Sequence, residues 1–191
     1  MAAQKKRVGV LALQGDFEAH GKALARAGAE AVEVRSANQL QGIDALVIPG
    51  GESSTMLKIL DAEGMLGPLR EFGETHPVFG TCAGAILVAK EVTNPVQTSL
   101  GLVDIGVERN GYGRQLDSRI AQLTGEGIGE HLEAVFIRAP IIRRVGENAR
   151  VLATYQGHPV LVEQGRHLVA TFHPELTADS RIHELFLEKV R

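Results

Sequence analysis

The 191-residue sequence contains a single cysteine. An internal disulfide framework and a cysteine-rich zinc or iron–sulfur site are therefore excluded. No stretch approaches the ~18 apolar residues of a membrane helix. After Lys5, Lys6 and Arg7, the apolar run Val8 to Leu13 is broken at once by Gln14, Gly15 and Asp16, too short for the core of a secretion signal. With neither kind of segment and a lone thiol, a cytoplasmic protein with no membrane partner is expected. Charge of one sign is lacking as well. Lys and Arg number 20 against 23 Asp and Glu, a net charge of −3, and no charge block occurs. This balance argues against sequence-independent nucleic-acid binding. Repeats and low-complexity linkers are absent, so one domain over residues 1–191 is expected, with residues 1–7 a flexible N-terminal segment. Glycine, by contrast, is plentiful: 22 residues, about 12% of the chain against a usual ~7%.

The first half alternates strand and helix patterns. Val8 to Leu13, Ala31 to Val34, Ala45 to Ile48 and Pro77 to Phe79 are short apolar runs of the kind buried in parallel sheets. Between them, Asp16 to Ala27 reads as a helix capped by Asp16, with Phe17, Leu24 and Ala27 on its apolar face. Ser53 to Leu60 and Met65 to Phe72 also read as helical, and a further helix runs from Cys82 to about Lys90. The order predicts an α/β fold with a parallel sheet. The second half carries strand patterns at Leu102 to Glu108, Ala134 to Ile137, Val151 to Tyr155, Pro159 to Val162 and His167 to Phe172, with turns at Gly157 and Gly165. They are expected to extend the sheet with antiparallel strands. A helix from about Ala178 to Val190 closes the chain.

Gly80-Thr81-Cys82-Ala83-Gly84 ends a strand and opens a helix, the layout of a nucleophile elbow. Such a turn is tight and strained, so the residues two places either side of the nucleophile must be small. The helix that follows aims its free N–H groups at the sulfur and favours thiolate, and the Ala83 N–H is placed to meet a developing oxyanion. A lone cysteine is also commonly a small buried hydrophobe, so a partner is required. Seven histidines are present. His20 and His183 fall within helical segments and His131 and His158 in loops, where surface or structural roles are expected, and His76 sits at a strand entry. His173 instead follows a strand at its carboxyl end, where ligands gather in open α/β sheets. Glu175, two residues on, projects to the same side if the chain stays extended. It can orient the imidazole, as the third member of a triad does.

Pro49-Gly50-Gly51-Glu52-Ser53-Ser54 closes the third strand. It lacks the spacings of dinucleotide and P-loop phosphate motifs, so a loop binding a small polar substrate is preferred over a phosphate cradle. Arg109 and Arg138 both stand at strand ends, and arginine pairs with carboxylate through two parallel hydrogen bonds.

Pro-Gly-Gly-Glu-Ser at 49–53, Phe-Gly-Thr-Cys-Ala-Gly at 79–84 and Phe-His-Pro-Glu at 172–175 resemble the triad-type, class I glutamine amidotransferases. Leu-Ala-Leu-Gln-Gly at 11–15, the run from Glu108 to Ser118, Phe-Ile-Arg-Ala-Pro at 136–140 and Thr-Phe-His-Pro-Glu-Leu-Thr at 171–177 narrow the resemblance to the glutaminase subunits of pyridoxal 5′-phosphate synthase. One departure is Tyr112, where phenylalanine is common. The resemblance implies a three-layer α/β/α, flavodoxin-like fold with a mostly parallel central sheet. It implies hydrolysis of L-glutamine to L-glutamate and ammonia, with the ammonia passing to a synthase subunit, a (β/α)₈ barrel, in a hetero-oligomer. Neither cofactor nor metal is implied. By position, Cys82 is the nucleophile, His173 the general base and then acid, and Glu175 its orienter. Gly50, Gly51, Glu52, Arg109, Ile137 and Arg138 hold glutamine, Gly51 and Ala83 form the oxyanion hole, and Gln14 and Gly15 lie beside it. The main alternative keeps the chemistry but serves another acceptor, such as an imidazole-glycerol-phosphate type synthase. A triad hydrolase of peptides or esters and a non-catalytic subunit are further alternatives.

Overall fold

A computed structural model describes residues 5–111 and 118–191. The elements in order are β1 (Arg7–Leu11), α1 (Phe17–Arg26), β2 (Glu30–Val34), β3 (Ala45–Ile48), α2 (Ser53–Ala62), α3 (Leu66–Thr75), β4 (Val78–Thr81), α4 (Ala83–Val88), β5 (Ala89–Thr93), β6 (Val103–Glu108), β7 (Arg119–Gly125), β8 (Gly129–Phe136), β9 (Ile141–Val145), β10 (Arg150–Tyr155), β11 (His158–Gln164), β12 (His167–Ala170) and α5 (Arg181–Glu188). Seven strands form the central sheet in the order β10-β11-β12-β4-β3-β1-β2. Only β11 runs against the direction of the rest.

The strand sequences are apolar throughout because both faces of the sheet are covered. Side chains alternate between two cores. Leu46, Ile48, Val78 and Val169 face one core with Met56, Leu60, Leu69 and Leu87 of α2, α3 and α4. Ala45, Val47, Phe79, Leu168 and Ala170 face the other with Leu24 of α1 and Ile182 and Phe186 of α5. The result is the expected three-layer α/β/α arrangement.

The second half departs from expectation. Only β10 and β11 extend the central sheet in antiparallel fashion, through turns where Gly157 and Gly165 take positive φ. The strand expected from Leu102 to Glu108 leaves that sheet: β6 pairs with β5 and β9 in a separate three-stranded sheet. The helix expected to reach Lys90 stops at Val88, because the N–H groups of Leu100 and Leu102 take the carbonyls of Leu87 and Val88. The chain from Ala89 then runs as β5. The hairpin of β7 and β8 is longer than the single strand expected at Ala134 to Ile137. It buries Ala121, Leu123, Leu132 and Ala134 on one face and leaves the other exposed. That half-polar alternation hides β7 from a search for apolar runs.

Two local expectations also change. Asp16 precedes α1, but its side chain caps nothing, and the buried face of the helix is His20, Ala23 and Leu24, with Phe17 and Ala27 packed partly buried at its margin. The segment 1–7 is not free along its length: Arg7 opens β1 and Lys6 Nζ donates to the Leu187 carbonyl at 2.7 Å. Residues 1–4 lie outside the described residues, as do residues 112–117 of the longer motif. Among the described residues, no helix is long and apolar enough to cross a membrane.

Phe186 is fully buried and packs its ring 5.3 Å from that of Phe79. Phe186→Ala is expected to lower stability by about 3–5 kcal/mol, read as a shift of the urea midpoint with the slope unchanged.

Candidate functional site

Four chain segments meet at the carboxyl ends of the central strands. The first is the elbow after β4. Cys82 takes φ 47° and ψ −104°, a conformation that side chains rarely adopt and that costs of order 1–3 kcal/mol. Its small neighbours are required by backbone contact. A Cβ on Gly80 would lie 2.5 Å from the Gly84 carbonyl oxygen, and one on Gly84 would lie 1.9 Å from that of Ile48. Ala83 opens α4, so its N–H is among those a helix leaves without an internal acceptor.

The second segment follows β12. His173 lies 4% exposed beside Cys82, both against Gly50, and Cys82 Sγ stands 3.8 Å from the Ile137 carbonyl oxygen. Nδ1 of His173 stands 2.7 Å from Oε1 of Glu175, whose side chain is wholly buried. Pro174 starts a 3₁₀ turn that carries Glu175 back under the imidazole. Burial alone would lower the His173 pKa, but the sulfur of Cys82 and the carboxylate of Glu175 raise it to about 10. The imidazole is thus held as a cation between sulfur and carboxyl group. Asp16 Oδ2 lies 3.7 Å from the same Nδ1. Asp16, His173 and Glu175 thereby bring three potential metal-ligand atoms within 4.8 Å, but the tight pairing with Glu175 already occupies Nδ1.

The third and fourth segments are glycine turns. A Cβ on Gly50 would lie 2.3 Å from Cε1 of His173 and 3.3 Å from Cβ of Cys82. Gly50 is therefore the surface on which imidazole and thiol rest. Gly15, at φ +97°, presses on Gly50 in turn: a Cβ there would lie 1.8 Å from the Gly50 oxygen. Gln14 Oε1 accepts from Glu52 N–H at 2.9 Å and locks the two turns together.

These segments border a cleft of about 330 Å³. Cys82, Ala83 and His173 line it with Gly51, Glu52, Arg109, Ile137 and Arg138. Sequence-predicted residues from five separate stretches are thus brought together, with Gly50 and Glu175 immediately behind. Two details were not foreseen. Glu52 caps α2 through the N–H groups of Ser54 and Thr55 and pairs with Arg109, whose Nη1 also donates to Ser54 Oγ at 2.5 Å. Slight burial acts to raise the Glu52 pKa, but those donors and the guanidinium bring it to about 2. Arg138 stands exposed at φ 44° and makes no ion pair among the described residues.

Behind Cys82, His173 and Glu175 lies a buried polar cluster of His20 and His183, for which the sequence implies only a surface or structural role. His20 and His183 are wholly buried, with Nδ1 of His20 at 3.0 Å from Nε2 of His183. Nε2 of His20 stands 3.0 Å from Thr81 Oγ1 and 3.3 Å from Glu175 Oε2. The available signal was helical phase: His20 shares a face with Ala23 and Leu24, the apolar side of α1. Burial drives the pKa of His20 well down, with repulsion from His183 and His173 adding to it; burial and then Arg26 bring His183 to about 4.

The sequence model of the SNO glutamine amidotransferase family matches residues 10–191. "Pyridoxal 5′-phosphate synthase subunit PdxT" of Solibacter usitatus is 64% identical to this chain, over 97% of it and 100% of that protein. The protein of the same name from Koribacter versatilis is 57% identical, over 97% and 96%. A crystal structure of a glutamine amidotransferase superposes with a TM-score of 0.90 at 50% identity, covering 95% of this chain and 97% of that one. The structure of PurLQS from Thermotoga maritima, 16% identical with a TM-score of 0.70 over 97% of this chain and 99% of that one, shares the fold.

The buried imidazoles set an acid limit on stability. His20, His183 and His167, the last also lowered to about 4 by burial and then by Arg166 and Lys189, are neutral in the folded chain. Below the ordinary value of 6.5 the unfolded chain takes up protons that the folded chain refuses, so stability is lost as pH falls from 6.5 toward 4. His173 acts oppositely: its contribution is complete below 6.5 and is lost as pH rises through about 10. Chemical denaturation across this range is expected to show maximum stability near neutrality. His183→Leu should flatten the acid side by about one proton, ~1.4 kcal/mol per pH unit.

Proposed function

The chain belongs to the SNO glutamine amidotransferase family, and we propose that it is the glutaminase subunit of a pyridoxal 5′-phosphate synthase. The observation that carries this reading is the alignment of Cys82, His173 and Glu175 on two strand ends, seated on Gly50 and open to the cleft.

In this reading the Cys82 sulfur, its proton passed to His173, attacks the side-chain amide carbon of L-glutamine. The N–H groups of Gly51 and Ala83 receive the oxyanion of the tetrahedral intermediate. His173 gives its proton to the departing ammonia, and a γ-glutamyl thioester remains on Cys82. His173, now neutral, takes a proton from water as it attacks the thioester, and L-glutamate leaves. Glu175 keeps the imidazole oriented and stabilises its cation. The α-ammonium of glutamine lies against Glu52, and its α-carboxylate against Arg138, the one of the two arginines with no ion pair among the described residues. Arg109 holds Glu52 in place, and Ile137 packs against the substrate's stem. No residue in the cycle calls for a metal or cofactor.

The ammonia passes to a synthase subunit, a (β/α)₈ barrel docked as a hetero-oligomer, for pyridoxal 5′-phosphate formation. This acceptor is favoured over an imidazole-glycerol-phosphate type enzyme by the names of the relatives at 64% and 57% identity. The setting is the cytoplasm.

Ammonia release from glutamine by the chain mixed with a synthase subunit tests the reading. Cys82→Ser is expected to reduce it about 10⁴-fold or more with the thermal midpoint retained. A variant as active as the unmodified chain would overturn the triad. Arg138→Ala is expected to raise KM about 10–100-fold with kcat little changed, the size of a lost charge-assisted hydrogen bond.

A further inference from the structure

We infer that His20 is a positioning residue for the reaction: backed by His183, it presents an N–H to the far oxygen of Glu175 and so holds the carboxylate that orients His173. The inference rests on the glutaminase reading and extends the catalytic line one layer deeper.

The geometry begins with Glu175. Its side chain is wholly buried, Oε1 is taken by His173, and Oε2 has no hydrogen-bond partner among the described residues. A buried carboxylate with one oxygen bare is costly, and a donor is needed there. His20 Nε2 is the nitrogen that faces it, at 3.3 Å, and it also lies 3.0 Å from Thr81 Oγ1.

The tautomers follow from the rest of the network. Nδ1 of His183 is buried with no partner. Were it protonated, an N–H would stand without an acceptor, and His20 would have to donate from Nδ1 and turn a lone pair toward Glu175. The reverse assignment resolves both problems. His183 Nε2–H donates to His20 Nδ1 across 3.0 Å, and His20 Nε2–H donates to Thr81 Oγ1 at 3.0 Å with Glu175 Oε2 beside it at 3.3 Å. Only a lone pair of His183 is left bare, the less costly orphan. Burial keeps both imidazoles neutral, so a dipole rather than a second cation faces Glu175. The titratable groups around His20 are His183 from α5 and His173 and Glu175 from the turn after β12. Asp16 faces His173, and Arg26 acts on His183.

Two isosteric probes separate positioning from simple core filling. The amide nitrogen of His20→Gln reaches the place of Nε2 and can serve Glu175. The amide of His20→Asn reaches only the place of Nδ1 and serves His183. Each full-length variant is assayed with the synthase subunit for kcat, KM and the pH dependence of kcat/KM. His20→Asn is expected to lower kcat about 10–100-fold, the usual effect of removing an outer group that orients an imidazole. KM should change less than threefold. The acid limb of the profile should move upward, because a carboxylate deprived of a donor protonates more readily. His20→Gln should restore most of the rate and the original limb. Equal rates and unmoved limbs in the two variants would overturn the inference. The same comparison is made on the pH profile of Cys82 alkylation by iodoacetamide, with the same two outcomes. It needs no substrate, so an unmodified chain that released no ammonia would refute the glutaminase reading and leave this inference to be decided separately.

Discussion

Gly84 presses its bare Cα against the carbonyl oxygen of Ile48, and Gly50 presses against the imidazole of His173. These contacts, with Gly15 against the Gly50 carbonyl, bring four chain segments together at one end of the sheet. The rest of the site depends on them. The elbow can hold Cys82 at a strained φ because Gly80 and Gly84 let strand, turn and helix nest. The glycine turn after β3 can reach Cys82 and His173 because it carries no side chain to clash with them. The Gln14–Gly15 turn then presses on Gly50 from outside, so the surface beneath the imidazole is braced on both sides.

The chemistry is arranged as a gradient from solvent to core. At the cleft, Glu52, Arg109 and Arg138 are charged and reachable. One layer in, the imidazole of His173 is held cationic between sulfur and carboxylate. A further layer in, the same kind of side chain is held neutral at His20 and His183, where burial outweighs every attraction. Three histidines within one network therefore occupy opposite protonation states for a common reason. A charge survives burial only where an opposite charge shares it. The carboxylate of Glu175 lies at the junction and faces both regimes.

Much of this was legible in residue order. The apolar runs at Val8, Ala45 and Pro77 marked parallel strands because a strand covered on both faces has no polar side. The elbow was legible because steric demand leaves glycine two residues either side of Cys82. The strands that failed to declare themselves are those with one wet face. β7 alternates buried and exposed residues among arginine, glutamine and threonine, and β9 carries Arg143 and Arg144 within it. The early end of α4 was hidden for a different reason: Leu100 and Leu102, far along the chain, supply the donors that end it. The sequence implies no more than a surface or structural role for His20 and His183, because a histidine in a helix has no local mark of burial.

By itself the sequence determined which residues could do the chemistry: one thiol, an imidazole at a strand end, a carboxylate two residues on, and glycines where backbones had to touch. Local sterics and short-range periodicity suffice for that. Tertiary structure decided which groups share a charge. That Glu52 is tied to Arg109, and that His20 of the first helix meets His183 of the last beside Glu175, depends on distances between residues 57 and 163 positions apart. Electrostatic partners act over a few ångströms of space, and that spacing is created only when the two faces of the sheet are closed by their helices.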